Sequence, residues 1–263
     1  MSAGTLVEVT GPGHDLSRWS SLRSGAERLG LITLLDRLRV SEGAGLVVLA
    51  AHPDDETLGL GRLVHAWSRQ VGPVTAIVAT AGEACVDHVL PRPPGLAERR
   101  LAEWTTATEA LGVDRRHALG LADGSLTGQE PTLVHAVETV LDDVASRTSQ
   151  VVVAAPWRGD PHPDHQAVGR AAEAAGRSRG VPTLAYGVWM TYWSEPEDLA
   201  ADGRRLAVLT TDDADEEAHL RARSAFVSQL EPLAPGLGAV VPPGMLAHHH
   251  EQLLILPADE VTR

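Results

Sequence analysis

The sequence predicts an α/β fold: a mostly parallel sheet with helices on both faces. Three observations carry this. Several short runs are almost continuously apolar, among them "GLVVLAA" (45–51), "VTAIVAT" (74–80) and "QVVVAAP" (150–156). Such runs suit strands buried on both faces, as in a parallel sheet. Longer segments with helical apolar spacing alternate with them, the pattern of right-handed crossover units. The chain of 263 residues, 43% of them hydrophobic, is long enough to bury a sheet of this kind in a single domain.

Residues 1–19 read as a loose lead-in, and residues 20–40 as a helix with apolar positions Leu22, Ala26, Leu29, Leu31, Leu34, Leu35 and Leu38 at roughly helical spacing. The core of the domain is expected to span 45–257, with 1–44 as lead-in and helix. After the strand at 45–51 comes a helix over 57–70, closed by "GP", then the strand at 74–80. A helix over 95–112 ends at Gly112, a good residue just past a helix end. "ADGSL" is a turn, 132–146 a helix, 150–156 a strand and 163–180 a helix. Later strands are expected at 183–189, 204–211 and 252–257, with a long helix over 215–230. In such sheets ligands bind beyond the carboxyl ends of the strands.

Composition narrows the function. The formal net charge is −13, a poor match to nucleic acid or to an anionic membrane. No apolar stretch approaches the ~20 residues of a membrane span, and the start lacks the basic and apolar regions of a signal peptide. The expectation is a soluble, cytoplasmic protein acting on a small molecule, with homo-oligomer formation left open. The lone cysteine, Cys85, cannot form an internal disulfide. There is no lysine, which excludes Schiff-base and P-loop chemistry and, with the Ala, Gly and Pro load, suggests a GC-rich, actinobacterial genome.

Chemistry concentrates in two segments, each following a buried strand. "AAHPDDETLG" (50–59) crowds His52, Asp54, Asp55 and Glu56 together. Burying adjacent carboxylates costs several kcal/mol each unless something compensates, roughly as for any unpaired buried charge. A divalent cation is the natural compensation. His52 and Asp55 can face one ion, and two protein ligands are too few. "RGDPHPDHQAVG" (158–169) offers His162, Asp164 and His165, with Pro163 suited to the first helical turn. Two histidines and a carboxylate make a hydrolytic zinc triad or a non-haem iron triad. The spare carboxylate beside them favours hydrolysis, which needs a base.

"AHPDDE" followed by "HPDH" resembles the PIG-L/LmbE-type deacetylases, zinc-dependent enzymes acting on N-acetylglucosamine-type substrates on a Rossmann-like fold. The likeness runs from about residue 45 to about 255. It implies His52, Asp55 and His165 as ligands of Zn2+, with Fe2+ as the alternative metal. It implies Asp54 as general base, His162 as oxyanion stabiliser or acid to the leaving amine, and Asp164 as the group that orients His162. A carboxylate partner such as Asp164 is also expected to raise the His162 pKa and fix its tautomer. "RRLAE" resembles the family's Arg-x-x-Glu helix, giving Arg100 and Glu103. "LGLADGSL" gives Asp123 as a candidate for sugar hydroxyls, and "AFVSQ" resembles a Ser-Gln element. The implied function is removal of an acetyl or other acyl group from an amino-sugar conjugate. The alternatives are an amidase cleaving a thiol or glycoside conjugate with the same site, or a metal-stabilised sugar-binding module without catalysis.

Departures stand beside the resemblance. Arg62 takes the place of a glycine after the first motif, where it crowds the helix–strand contact or reaches the site as a substrate-binding residue. Asp160 stands where some relatives that act in thiol pathways have tyrosine. "YGVWMTYWSEPED" (186–198) is aromatic in a chain with 3% aromatics, and aromatic faces suit sugars or lipids. Glu56 reads as a helix-start charge, His248 to His250 as loop or strand-edge residues, and Cys85 as inert.

Overall fold

The computed structural model describes residues 13–87, 89 and 91–258. In chain order the elements are α1 (Ser20–Gly25), β1 (Glu27–Gly30), α2 (Leu31–Leu38), β2 (Gly45–Ala50), α3 (Asp55–Gln70) and β3 (Val74–Val78). There follow α4 (Leu96–Ala110), β4 (Arg115–Ala118), α5 (Glu130–Ala145), β5 (Val151–Pro156), α6 (Pro163–Arg179) and β6 (Thr183–Tyr186). The chain continues through α7 (Met190–Trp193), α8 (Pro196–Ala201), β7 (Arg204–Thr210), α9 (Asp213–Ser224), α10 (Val227–Leu230), α11 (Pro243–His248) and β8 (Leu253–Pro257). The eight strands form one sheet in the order β1-β7-β8-β6-β5-β2-β3-β4. β8 runs antiparallel to β6 and β7, and every other neighbouring pair is parallel. Among the described residues no helix is long and apolar enough to cross a membrane.

β2 is the pivot. The chain steps from β2 to β3 and β4, then returns to place β5 on the other side of β2. The order reverses between β2 and β5, and a crevice opens outside their carboxyl ends. Both motifs leave the sheet at this point.

Alternate residues of β2 enter different cores, as the two-residue period of a strand requires. Leu46, Val48 and Ala50 pack with α3, α4 and α9, whereas Val47, Leu49 and Ala51 pack with α5 and α6. The helices approach closely because glycines face the backbone. A Cβ on Gly169 of α6 would lie 2.5 Å from the Pro156 carbonyl oxygen and 2.8 Å from the Arg158 nitrogen. Gly169→Ala is expected to cost about 1–3 kcal/mol, the range for overpacking, read as a lower denaturation midpoint.

The segment 20–40 differs from the single helix expected of it. Glu27–Gly30 pairs in register with Ala207–Thr210 as an edge strand, flanked by Gly25 and Gly30, which break helical continuity. In the lead-in, residues 1–12 lie outside the described residues. Leu16–Trp19 forms a 3-10 turn capped by Asp15, and it buries Trp19. "RRHA" adds the other edge strand, and the long helix of 215–230 divides where Phe226 turns into the core.

His219 of α9 is fully buried and faces Arg62 of α3, whose Nε donates to His219 Nδ1 over 3.3 Å. Burial, reinforced by Arg62, pushes the imidazole pKa down to about 3. Unfolded, the ring takes a proton near its ordinary value of about 6.5. The unfolded state therefore binds more protons below that pH, and stability drains away as pH falls from about 6.5 towards 3. His219→Gln is expected to flatten the slope of unfolding free energy against pH between about 6 and 4.

Candidate active site

"HPDD" turns sharply from β2 into α3. Asp54 sits at the N-cap position with φ 139° and ψ −26°, a conformation that costs a non-glycine residue roughly 1–3 kcal/mol. Its carboxylate makes no capping bond to the helix, so it is not the helix-start charge that position would suggest. It is buried and lies 3.5 Å from Arg100 Nη2. Burial raises its pKa to about 7, against the pull of Arg100 and with Asp55 adding to the rise.

Asp55 is bound differently. Its Oδ2 accepts the backbone N–H groups of Ala51 (2.9 Å) and His52 (2.8 Å). Its Oδ1 lies 3.1 Å from His165 Nε2. Burial alone would push this carboxyl up, but His165 and His52 beside it hold it well below the usual carboxylate range.

The second motif starts α6. His162 is its N-cap, with Nδ1 accepting the Asp164 N–H at 3.2 Å, and Pro163 follows at the first helical position. This bond leaves the ring proton on Nε2. Burial and the neighbouring His165 and His52 lower the His162 pKa to about 3. Asp164 pushes this value up, as expected, but burial and the two other imidazoles outweigh it. The Asp164 carboxylate turns away from the His162 ring, accepting from Gly124 N (2.8 Å) and Leu126 N (3.0 Å) and lying 3.5 Å from His52 Nε2.

His165 is fully buried, and its Nδ1 donates to Asp160 Oδ1 at 3.0 Å. His52 Nε2 lies 3.0 Å from Asp123 Oδ1. Each ring thus has one nitrogen held by a carboxylate, and the other two face each other, His52 Nδ1 and His165 Nε2 being 3.3 Å apart. Burial opposes protonation of His165, but Asp55 and Asp160 overcome it and raise the pKa to about 9. The three rings of His52, His162 and His165 lie within 4.7–5.3 Å of one another, centre to centre.

This cluster can hold a metal. His52, His162 and His165 can each offer a ring nitrogen, all within 4.8 Å of one another, and so can ligand atoms of His52, Asp123 and Asp164. Four aspartates of the cluster, Asp54, Asp55, Asp160 and Asp164, are buried, with Arg100 as the nearby guanidinium. The excess of buried carboxylate is what a divalent cation offsets. Asp55 Oδ1 and His52 Nδ1 lie 3.1 and 3.3 Å from His165 Nε2, so these three residues would be at hand to hold one ion.

The remaining expected residues are placed as follows. Arg100 is buried, donating to the carbonyls of Gly82 and Pro53 and so tying the β3 loop to the first motif. Asp123 has both oxygens engaged by the protein, Oδ1 with His52 and Oδ2 with Ala84 N–H. Arg62 does not join the cluster. It pairs with Glu216 and bonds His219 and the His250 carbonyl. Glu103 accepts from the N–H and hydroxyl of Ser228, so the Arg-x-x-Glu and Ser-Gln elements meet each other. Glu56 is fully buried in the first turn of α3, and burial raises its pKa to about 8. Burial also pushes the Cys85 thiol up. The residue that sequence reasoning underrated is Asp160. Fully buried, it accepts from His162 N, Val188 N and Trp189 N besides His165. Its one sequence signal was a carboxylate two residues before a "HPDH" motif.

The protein is thus of the α/β class, with a histidine–carboxylate cluster at the switch point of its sheet that could hold a metal ion. Residues 47–176 match the family model of GlcNAc-PI de-N-acetylases, PIG-L. A 1D-myo-inositol 2-acetamido-2-deoxy-alpha-D-glucopyranoside deacetylase of Mycolicibacterium gilvum is 32% identical over 180 residues, 59% of this chain and 60% of the relative. A probable N-acetyl-alpha-D-glucosaminyl L-malate deacetylase 2 of Bacillus subtilis is 32% identical over 130 residues, 48% of this chain and 58% of that one. The chain spans about three-fifths of the length of these two curated relatives. The crystal structure of the conserved protein TT1542 from Thermus thermophilus shares the fold, with a TM-score of 0.55 at 24% identity, over 78% of this chain and 84% of that one. Over residues 47–176, just under half of its length, the chain is thus similar to the PIG-L de-N-acetylases and to these curated deacetylases.

Proposed function

We propose that the protein is a metal-dependent hydrolase that removes an acetyl or other acyl group from the nitrogen of an N-acetylglucosamine-type conjugate. The observation that carries this is the pairing of a metal-capable cluster with Asp54, a carboxylate that is buried, uncapped and bound to neither backbone nor histidine. A buried carboxylate free to accept a proton beside the reacting centre is what general-base catalysis requires.

In this reading His52 Nδ1, Asp55 Oδ1 and His165 Nε2 hold the ion, with zinc the first choice and ferrous iron the second. Bound there, it supplies Lewis acidity that acidifies water and polarises an amide carbonyl. Asp160 and Asp123 fix the two rings, the usual task of carboxylates behind metal-binding histidines. Asp54 takes the proton of the attacking water and returns it to the departing amine. The Nε2–H of neutral His162 donates to the oxygen that becomes negative as the carbonyl is attacked. Arg100 holds the Asp54 loop in its strained turn through Pro53 and faces the carboxylate. The same reading puts the enzyme in the cytoplasm, where a free cysteine is at home.

Metal content and acetate release are measured together on purified protein, against simple N-acetylglucosaminides. The expected result is one equivalent of metal and turnover that stops with chelator and returns with zinc or iron. A fully metal-loaded protein that releases no acetate or other acyl group from any acylated amino sugar overturns the proposal.

A further inference from the structure

The chain has six tryptophans, two tyrosines and one phenylalanine. Six of these nine are core residues, at 3% exposure or less: Trp19, Trp67, Trp104, Trp157, Tyr186 and Phe226. The other three, Trp189, Tyr192 and Trp193, are only partly buried and fall within five residues of one another. Every Trp, Tyr or Phe ring left open to solvent therefore belongs to a single cluster.

That cluster lies beside the candidate site. β5 and β6 are adjacent, and they end level, Pro156 opposite Tyr186. His162 and His165 follow the first of these ends, and the aromatic stretch follows the second. The two loops are also joined. Asp160 holds His165 through Oδ1 and accepts the N–H groups of Trp189 (3.0 Å) and Val188 (3.3 Å) through Oδ2. Trp189 and Tyr192 rest on the core. Trp193 stacks on Trp189 with ring centres 4.0 Å apart and planes 12° from parallel, and Tyr192 packs edge-on against His248. The result is a ledge of stacked indoles on the loop after β6, joined through Asp160 to the loop that carries His165.

We propose that Trp193, stacked on Trp189, is a specificity-determining platform that receives a flat apolar ring of the substrate beyond its N-acylated sugar. An aryl group and the C–H face of a second sugar ring share this chemistry. Both lie flat on an indole, and stacking of this kind strengthens binding by about two- to tenfold beyond area burial. The ledge is preorganised, so little ordering is lost when the ring lands on it. The assignment of a sugar conjugate to this ledge rests on the deacylase reading of the neighbouring cluster.

The test is calorimetric binding to the full-length protein of three probes: methyl N-acetyl-β-D-glucosaminide, its phenyl counterpart, and a β-linked N-acetylglucosamine disaccharide. Wild type is expected to bind at least one of the two larger probes about five- to tenfold more tightly than the methyl glycoside. Trp193→Ala is expected to bring all three to the affinity of the methyl glycoside, whose own binding is unchanged. An advantage for the phenyl probe alone identifies an aryl aglycone, and one for the disaccharide alone a second sugar. Trp193→Phe keeps a flat ring and Trp193→Leu removes it, so this pair carries the test where Trp193→Ala does not fold. The proposal is overturned by equal affinity of wild type for all three probes, or by an advantage that survives in Trp193→Leu or Trp193→Ala. Acetate release is followed separately. Its absence with the binding preference intact overturns the deacylase reading and leaves the platform standing.

Discussion

Asp54→Asn is expected to lower kcat for deacylation by about 10²–10⁴-fold, the usual contribution of a general base, with metal content unchanged. The variant is close to isosteric. Asparagine also tolerates positive φ better than most residues, so the turn at φ 139° survives. What is lost is the proton acceptor. The amide has no basic oxygen at this pH, and the carboxylate it replaces is uncommitted to backbone or histidine, unlike that of Asp55. Metal analysis and steady-state kinetics on one preparation check this. Near wild-type turnover in Asp54→Asn would assign the proton transfer to another group.

His165→Ala is expected to remove the metal and with it all measurable turnover. His165 Nε2 stands 3.1 Å from Asp55 and 3.3 Å from His52, so the deletion opens the centre of the cluster. It also leaves Asp55 and Asp160, both buried, without their shared partner. Breaking one side of a buried charge pair costs about 3–5 kcal/mol, so a marked fall in melting temperature is expected as well. Asp160→Asn should act more gently, weakening metal affinity about 10–100-fold through the orientation of His165 and of the loops that Asp160 ties together. Metal titration by competition with a chromophoric chelator separates the two variants. Full metal occupancy in His165→Ala would show that His52 and its carboxylate partners hold the ion without it.

Much of this architecture was legible in the residues. The apolar runs at 45–51, 74–80 and 150–156 mark β2, β3 and β5 because strands buried on both faces leave little room for polar residues. The two motifs stand out because carboxylates and imidazoles seldom follow directly on such strands. The edge strands were not legible. β1 and β4 read "ERLG" and "RRHA", polar sequences with no period of their own, and they are strands because β7 and β3 offer them hydrogen bonds. Nor could spacing along the chain tell Asp164 from Asp160. Both flank His162 by two residues, yet one carboxylate reaches Gly124 and the other reaches His165 and Trp189.

The sequence by itself determined the α/β class, the two strand-end motifs and the demand for a compensating cation, because strand periodicity and the cost of buried charge are local matters. The tertiary structure alone decided which groups face one another. It set Arg100 against Asp54, Asp123 behind His52, Asp160 behind His165, and Arg62 away from the cluster against α9. Three of these pairings join residues 46, 71 and 154 positions apart and depend on strand order, whereas Asp160 and His165, five apart, meet through the turn into α6. A side chain's protonation and reach follow from that packing, which no local pattern along the chain encodes.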